Sequence, residues 1–375
     1  MADAIDYEHM ARALQLAANG LYDTAPNPSV GCVLVRDGRV VGTGWTAPAG
    51  GPHAEIVALK AAGAAAPGAT AYVTLEPCCH TGRTGPCTKA LLEAGISRVV
   101  FAGHDPNPRV NGGGAAQLKA AGVTVEGGVM EQAAEPLNRG FFTRMRRGVP
   151  YVRSKLAVSL DGRTALANGT SKWITSAAAR ADVHRWRARS SAVLTGSGTI
   201  VDDDPSLDAR REEAEIAPSI GIKQPLRAVI DARLKMPPGA KTLSRPGEVL
   251  VLTTRSLDDP KAVALRAAGA RVDRVAGDAE HCDLRAVIER LGTFEINDVW
   301  VEAGAGLNGA LLKAGLIDEL IIYMAPRILG NAARGMFDVP ALQALSDDYR
   351  VTLDDIRKVG ADIRMTARVN STAAD

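Results

Sequence analysis

Three short segments carry side chains able to hold a metal ion and move a proton. They are Pro52-His53-Ala54-Glu55, Glu76-Pro77-Cys78-Cys79-His80 and Gly85-Pro86-Cys87. Zinc in a catalytic site takes three protein ligands and keeps a fourth position for water. His53, Cys78 and Cys87 supply one imidazole and two thiolates, a common zinc set. Glu55, two residues past the histidine, can face the bound water without ligating the metal. Zinc lowers the pKa of that water from about 15.7 towards ~7, and Glu55 is the group placed to relay its proton. Prolines precede His53, Cys78 and Cys87, so helices are expected to begin at each of them. A thiolate there gains from unpaired N–H groups and the positive dipole end. Cys79 in place of Cys78, a purely structural zinc site and a Cys78–Cys87 disulfide are the competing readings. Glu55 beside His53 argues against the structural site, and a reducing compartment argues against the disulfide.

The pattern is similar to the nucleobase-deaminase signature H-x-E followed by P-C-x-x-C, with eight residues between the cysteines instead of two. Such chemistry adds hydroxide to a ring carbon bearing an exocyclic amine, and ammonia leaves. A second candidate lies far downstream, where Gly304-Ala305-Gly306-Leu307-Asn308-Gly309 reads G-x-G-x-x-G. A dinucleotide motif of that form should open its domain and be followed about 20 residues on by an acidic residue ending a strand. Here the motif comes late and the next strand ends Ala325-Pro326-Arg327, so a standard Rossmann fold is not the expectation. The glycines still suit a phosphate at a helix N-terminus.

These residues need a scaffold. At 375 residues the chain is long enough for two domains, and 46% hydrophobic against 23% charged residues excludes disordered, collagenous and coiled-coil classes. A helix is expected over 9–18, then a hairpin, 29–35 and 39–45, turning at Asp37-Gly38. Helices over 53–62, 87–94, 111–121 and 129–145 alternate with strands over 71–75, 97–102 and 123–126, giving a mainly parallel sheet covered on both faces. The pattern restarts at Pro150, which sets the boundary between domains 1–148 and 149–375. The second domain is read as a strand over 151–158, a helix over 177–189 and strands over 192–195, 226–230, 249–253, 299–303 and 319–325. A closing hairpin follows over 349–353 and 362–367. Residues 209–224 read as an exposed loop.

Residues 1–148 hold 13 Lys and Arg against 12 Asp and Glu, leaving 31 and 30 for the rest. Each half is therefore about +1, too little excess positive charge for a nucleic-acid binder, and aromatic residues for base stacking are only 4%. Arg139, Arg144, Arg146 and Arg147 form one basic cluster, read as a solvated linker face. No stretch is long and apolar enough to span a bilayer, and the start MADAIDYEHM carries no secretory signal. The reading is a cytoplasmic protein with a small-molecule substrate, no nucleic-acid or membrane partner, and room for a homo-oligomer.

The string from His53-Ala54-Glu55 through Glu76-Pro77-Cys78-Cys79-His80 to Cys87, with Asn27-Pro28-Ser29-Val30-Gly31-Cys32 upstream, closely resembles the bifunctional deaminase/reductase of riboflavin biosynthesis. Segments 154–165, 171–175, 195–205 and 301–304 resemble its reductase half. The resemblance implies an N-terminal cytidine-deaminase-like α/β/α domain and a C-terminal dihydrofolate-reductase-like α/β domain. It implies zinc-dependent hydrolytic deamination of 2,5-diamino-6-(5-phosphoribosylamino)pyrimidin-4-one, then NADPH reduction of the ribosyl group to ribityl. Carried across residue by residue, it puts Asn27 and His80 against the pyrimidine. Ala157, Trp173, Thr199, Asp203 and the loop Gly304, Ala305, Gly306, Leu307, Asn308, Gly309 would meet the cofactor. Ser171, Arg187, Leu207, Arg210 and Glu302 would hold the substrate, the two arginines as fork donors to its phosphate. Lys155, on an apolar strand, is expected to pair with an acid.

Overall fold

The computed structural model describes residues 2–81, 85–108, 110–171 and 174–370. It divides into two compact units, Met1–Gly148 with Pro218–Lys223, and Val149–Ala217 with Gln224–Asp375. The small segment Pro218–Lys223 is the difference from a cut at 148/149. Within the first unit the Lys223 N–H donates to the Tyr22 carbonyl at 2.9 Å.

In the first unit the elements run α1 (Ala4–Asn19), β1 (Gly31–Arg36), β2 (Arg39–Trp45), α2 (Ala54–Ala62), β3 (Thr70–Leu75), α3 (Cys87–Glu93), β4 (Arg98–Gly103), α4 (Gly113–Ala120), β5 (Thr124–Gly127) and α5 (Glu131–Arg147). The sheet order is β2-β1-β3-β4-β5. β1 is antiparallel to both its neighbours, and β3, β4 and β5 are parallel. Asp37 and Gly38 turn the hairpin at φ 52° and 72°, the positive values that Asp-Gly tolerates. Along β1, Cys32 and Leu34 enter one core while Val33 and Val35 enter the other, so helices cover both faces. α2 lies flush on β2: a Cβ on Gly42 would stand 2.3 Å from the Ala58 carbonyl oxygen, and one on Gly44 2.7 Å from that of Ala54. The basic cluster is no linker. It belongs to α5, where Arg139 pairs with Glu135 one turn away and Arg144 donates to the Pro26 carbonyl at 3.2 Å.

The second unit runs β6 (Tyr151–Ser159), β7 (Arg163–Ala165), α6 (Ala177–Arg189), β8 (Ala192–Gly196), α7 (Ser197–Asp203), α8 (Arg211–Ala214), β9 (Leu226–Ile230), β10 (Val249–Thr253), α9 (Pro260–Ala267), β11 (Arg271–Arg274), α10 (Leu284–Gly292), β12 (Asp298–Glu302), α11 (Ala305–Lys313), β13 (Glu319–Ala325), β14 (Arg334–Gly335), β15 (Val351–Val359) and β16 (Asp362–Val369). Its main sheet has the order β11-β10-β9-β8-β12-β6-β13-β16-β15. The strands from β11 to β13 are parallel, and the β15–β16 hairpin adds antiparallel to β13. Alternate residues of β10 and β12 again feed opposite cores, Leu250, Leu252, Val299 and Val301 on one side, Val249, Val251 and Trp300 on the other. Each fully buried Val or Leu of this kind is worth about 1.5–3 kcal/mol. Ser176 caps α6 through the Ala179 N–H, and Asp259 and Asp283 cap α9 and α10, two helices the sequence reading leaves unassigned. The span 209–224 is not an exposed loop throughout. It carries α8, whose Ala214 is fully buried, and a four-residue helix is too short to print a period.

Candidate active sites

In the first unit, β3 and two helix starts converge. His53 is the N-cap of α2 and Glu55 sits in its first turn. Cys87 is the first residue of α3, behind Pro86. Cys78 departs from expectation: it starts no helix and lies in the connection after β3. It reaches a helix end all the same, because the Cys87 N–H donates to Cys78 Sγ at 3.3 Å. The donor that stabilises its thiolate therefore comes from another segment. His53 Nδ1 is 3.6 Å from Cys78 Sγ and 3.3 Å from Cys87 Sγ. One ligand atom from each of the three lies within 4.8 Å of the others, and among the described residues no fourth metal-binding side chain joins them. The bond from the Cys87 side chain, working against burial and helped by His53, holds the Cys78 thiol down to about 4. Its bond to Cys78 in turn raises His53. Burial, then the negative charge at Cys78, raises Glu55 above the usual carboxylate range. One imidazole and two sulfurs, one already held as thiolate, fit a zinc ion with an open position.

The surroundings lock this arrangement. Buried Glu76 accepts the N–H groups of Gly112 and Ala115 at 2.9 and 3.0 Å and faces His104 Nδ1 at 3.3 Å. This ties the residue before Pro77-Cys78 to the start of α4. Asn138 accepts from the Ser29 N–H at 2.7 Å and donates to the Ser29 carbonyl at 2.8 Å, bracing the segment that carries Asn27. Sequence reasoning missed both anchors. The readable hint was Pro136, which breaks α5 two residues before Asn138. His80 has a buried Nδ1 with no hydrogen-bond partner among the described residues, an orphan atom that a ligand would satisfy.

In the second unit a cleft of about 900 Å³ opens at the carboxyl ends of β6, β8 and β12. Ala157, Thr199, Asp203 and Gly304 to Leu307 line it, as do Ser171, Arg187, Leu207 and Glu302. Trp173 lies outside the described residues. Asn308 and Gly309 do not line the cleft. Asn308 is fully buried, its side chain accepting from Ser154 Oγ at 2.7 Å, and a Cβ on Gly309 would stand 2.1 Å from the Asp338 carbonyl oxygen. Nothing lies within 4 Å of a Cβ on Gly304 or Gly306, which front the N-terminus of α11. Open backbone of this kind at a helix start inside a large cleft fits a pyrophosphate.

Arg187 grips Glu302 with both forks, at 2.5 and 2.9 Å, and Trp300 Nε1 donates to the same carboxylate at 3.0 Å. Burial opposes ionisation of Glu302, yet Arg187 and then Lys155 outweigh it and hold the acid down to about 2. Lys155 stands opposite Glu302 on the neighbouring strand. It has no ion pair among the described residues, contrary to expectation, because Glu302 is already engaged by Arg187. Burial lowers its pKa. Arg210 does not line the cleft either; its guanidinium pairs with Glu213.

Two family profiles match: a cytidine and deoxycytidylate deaminase zinc-binding region over residues 4–103, and a RibD C-terminal domain over residues 150–365. The riboflavin biosynthesis protein RibD of Escherichia coli (strain K12) is 48% identical over 365 residues, spanning 96% of this chain and 98% of its own. Acinetobacter baumannii RibD, form 1, matches with a TM-score of 0.89 at 44% identity, covering 98% of this chain and 99% of that one. A diaminohydroxyphosphoribosylaminopyrimidine deaminase/5-amino-6-(5-phosphoribosylamino)uracil reductase from Thermotoga maritima matches at 0.83 and 31% identity, with the same coverage. The first unit is thus cytidine-deaminase-like and the second a RibD-type reductase. The chain belongs to the RibD family of riboflavin biosynthesis, bifunctional enzymes that join a zinc-dependent deaminase to an NADPH-dependent reductase.

Proposed function

We propose that His53, Cys78 and Cys87 hold the zinc ion and that Glu55 is the proton carrier of the deamination. Bound zinc would supply the Lewis acidity that makes water nucleophilic at neutral pH. Glu55, buried and with a raised pKa, accepts a proton from the attacking water. It passes that proton to the ring nitrogen, then carries the second proton of the water from the newly added hydroxyl to the departing amine, so that a carbonyl forms as ammonia leaves. The orphan Nδ1 of His80 and the braced Asn27 segment orient the pyrimidine. The convergence of three ligand atoms within 4.8 Å is the observation that carries this reading.

For the reductase, Ala157, Thr199, Asp203 and the loop Gly304 to Leu307 hold the cofactor, while Ser171, Arg187, Leu207 and Glu302 of the same cleft hold the ribotide, and Arg210, outside the lining, reaches its phosphate only on leaving Glu213. NADPH bound there would supply a hydride to C1 of the sugar. Lys155 Nζ, in the cleft with a lowered pKa, gives a proton to the ring oxygen as the C1–O bond opens. A cytoplasmic setting is part of the reading, supported by five cysteines none of which forms a disulfide. So is a homo-oligomer, supported by the uncovered aliphatic side chains Val351, Leu353, Ile356 and Ile363 on the β15–β16 hairpin.

Glu55→Gln tests the first half. Ammonia release should fall by about 10²–10⁴ with zinc content unchanged, while NADPH oxidation on supplied deaminated ribotide continues. Ammonia release at the wild-type rate would remove Glu55 from the mechanism.

A further inference from the structure

His184 lies on α6, one turn before Arg187, and is 4% exposed. Neither reaction described above uses it. Its Nδ1 accepts the backbone N–H of Arg210 at 3.4 Å. A nitrogen that accepts is bare, so the neutral ring carries its proton on Nε2, and Glu213 Oε2 lies 2.9 Å from that atom. The other oxygen of Glu213 takes the guanidinium of Arg210, whose Nη2 lies 3.1 Å from the same Nε2, a donor facing a donor and so no hydrogen bond in this tautomer. One imidazole thus touches the main chain of Arg210, its fork and the carboxylate that occupies the fork. Burial, then the charges of Arg187 and Arg210, hold the ring neutral by lowering it to about 4, against Glu213 and Glu302.

The segment leading to Arg210 is fixed as well. Leu207, 1% exposed, has φ 55°, a left-handed conformation that costs a branched side chain energy and persists only when its surroundings impose it. The Asp208 carbonyl accepts from Arg187 Nη1 at 3.2 Å. α6 therefore clamps residues 207–210 at two points, Arg187 and His184. Side-chain freedom remains at the fork, because the Arg210 and Glu213 side chains are 47% and 46% exposed. A phosphate, with more charge and more acceptor oxygens than a carboxylate, can replace Glu213 there.

We propose that His184 is a positioning residue for the phosphate of the ribotide: it fixes the main chain of Arg210 and holds Glu213 as a stand-in anion that the phosphate displaces. The proposal rests on the reading of Arg187 and Arg210 as the phosphate donors. In the exchange Glu213 keeps its bond to His184 Nε2, and the Arg210 fork turns from carboxylate to phosphate. His184 thus separates the two charges that would otherwise stay locked together.

The test is steady-state reductase kinetics of the full chain on the deaminated ribotide and on its dephosphorylated counterpart, with ribose 5-phosphate as competitive inhibitor. His184→Ala should raise KM for the phosphorylated substrate about tenfold, leaving kcat, KM for NADPH and KM for the dephosphorylated counterpart in place. His184→Asn, whose Oδ1 can accept the Arg210 N–H, should restore most of the loss. Glu213→Gln should act in the opposite sense, tightening inhibition by ribose 5-phosphate several-fold. If His184→Ala raises both KM values alike, or Glu213→Gln weakens ribose 5-phosphate, the proposal is overturned. Where His184→Ala melts too early to assay, the Glu213→Gln inhibition constant decides alone. Arg210→Ala separates the two levels: an unchanged KM for the phosphorylated substrate removes the underlying phosphate reading. A raised KM there, with none in His184→Ala, removes only the positioning role.

Discussion

Gly114 in α4 offers a direct test of what holds Cys78 in place. A Cβ at this position would stand 2.0 Å from the Pro77 carbonyl oxygen and 3.1 Å from its carbon. Ordinary contact distances require one side to retreat by more than about 1 Å. The helix is poorly placed to retreat, since Glu76 holds the N–H groups of Gly112 and Ala115, and Thr88 Oγ1 donates to Gln117 at 2.7 Å. The displacement therefore passes into Pro77 and its neighbour Cys78. Overpacking of this size costs about 1–3 kcal/mol, of which the better helix propensity of alanine returns about 1 kcal/mol. The geometric effect is larger, because a 1 Å misplacement at a reacting centre is worth about 10²-fold in rate. Gly114→Ala is thus expected to melt slightly earlier, to hold zinc less tightly and to release ammonia about 100-fold more slowly. Its NADPH oxidation on supplied deaminated ribotide should match wild type. A folded Gly114→Ala chain with full zinc content and normal ammonia release would refute the idea that α4 positions the ligand.

The two kinds of glycine in the 304–309 loop should respond differently. Gly304→Ala, with open space at its Cβ, is expected to raise KM for NADPH several-fold with little change in melting, whereas Gly309→Ala, 2.1 Å from the Asp338 backbone, should lower the melting point as well. Asp6 is held down to about 2 chiefly by its hydrogen bonds from Arg98. Its stabilising effect is therefore complete above the unfolded value of about 3.8 and fades as pH falls through about 2. Asp6→Asn should cost about 2 kcal/mol at pH 7 and only about 0.4 kcal/mol at pH 2 in urea unfolding. Stripping zinc with a chelator should stop ammonia release, spare NADPH oxidation and lower the melting point, since the Cys78 thiolate would then lack its cation.

The chemistry was legible because it sits in contiguous strings. His53, Cys78 and Cys87 converge as their types and spacing require, and α6, β9, β10 and β13 span the residues their apolar periods mark. What was not legible is what depends on contacts between distant segments. A proline before Cys78 looks like a helix start, yet the N–H it needs arrives from Cys87. A lysine on an apolar strand reads as the partner of an acid, and only the fold shows that Arg187 takes Glu302 in place of Lys155. Asn308 belongs to a glycine-rich string but serves Ser154, and Asn138 bonds Ser29 across 109 positions of sequence. No local pattern records such pairs.

The seating of α2 on Gly42 and Gly44 has a mechanical consequence. With main chain pressed directly against main chain, the helix that begins at His53 and carries Glu55 has no compliant layer of side chains beneath it. It behaves as an anvil, unable to tilt or sink when a ring arrives or ammonia departs.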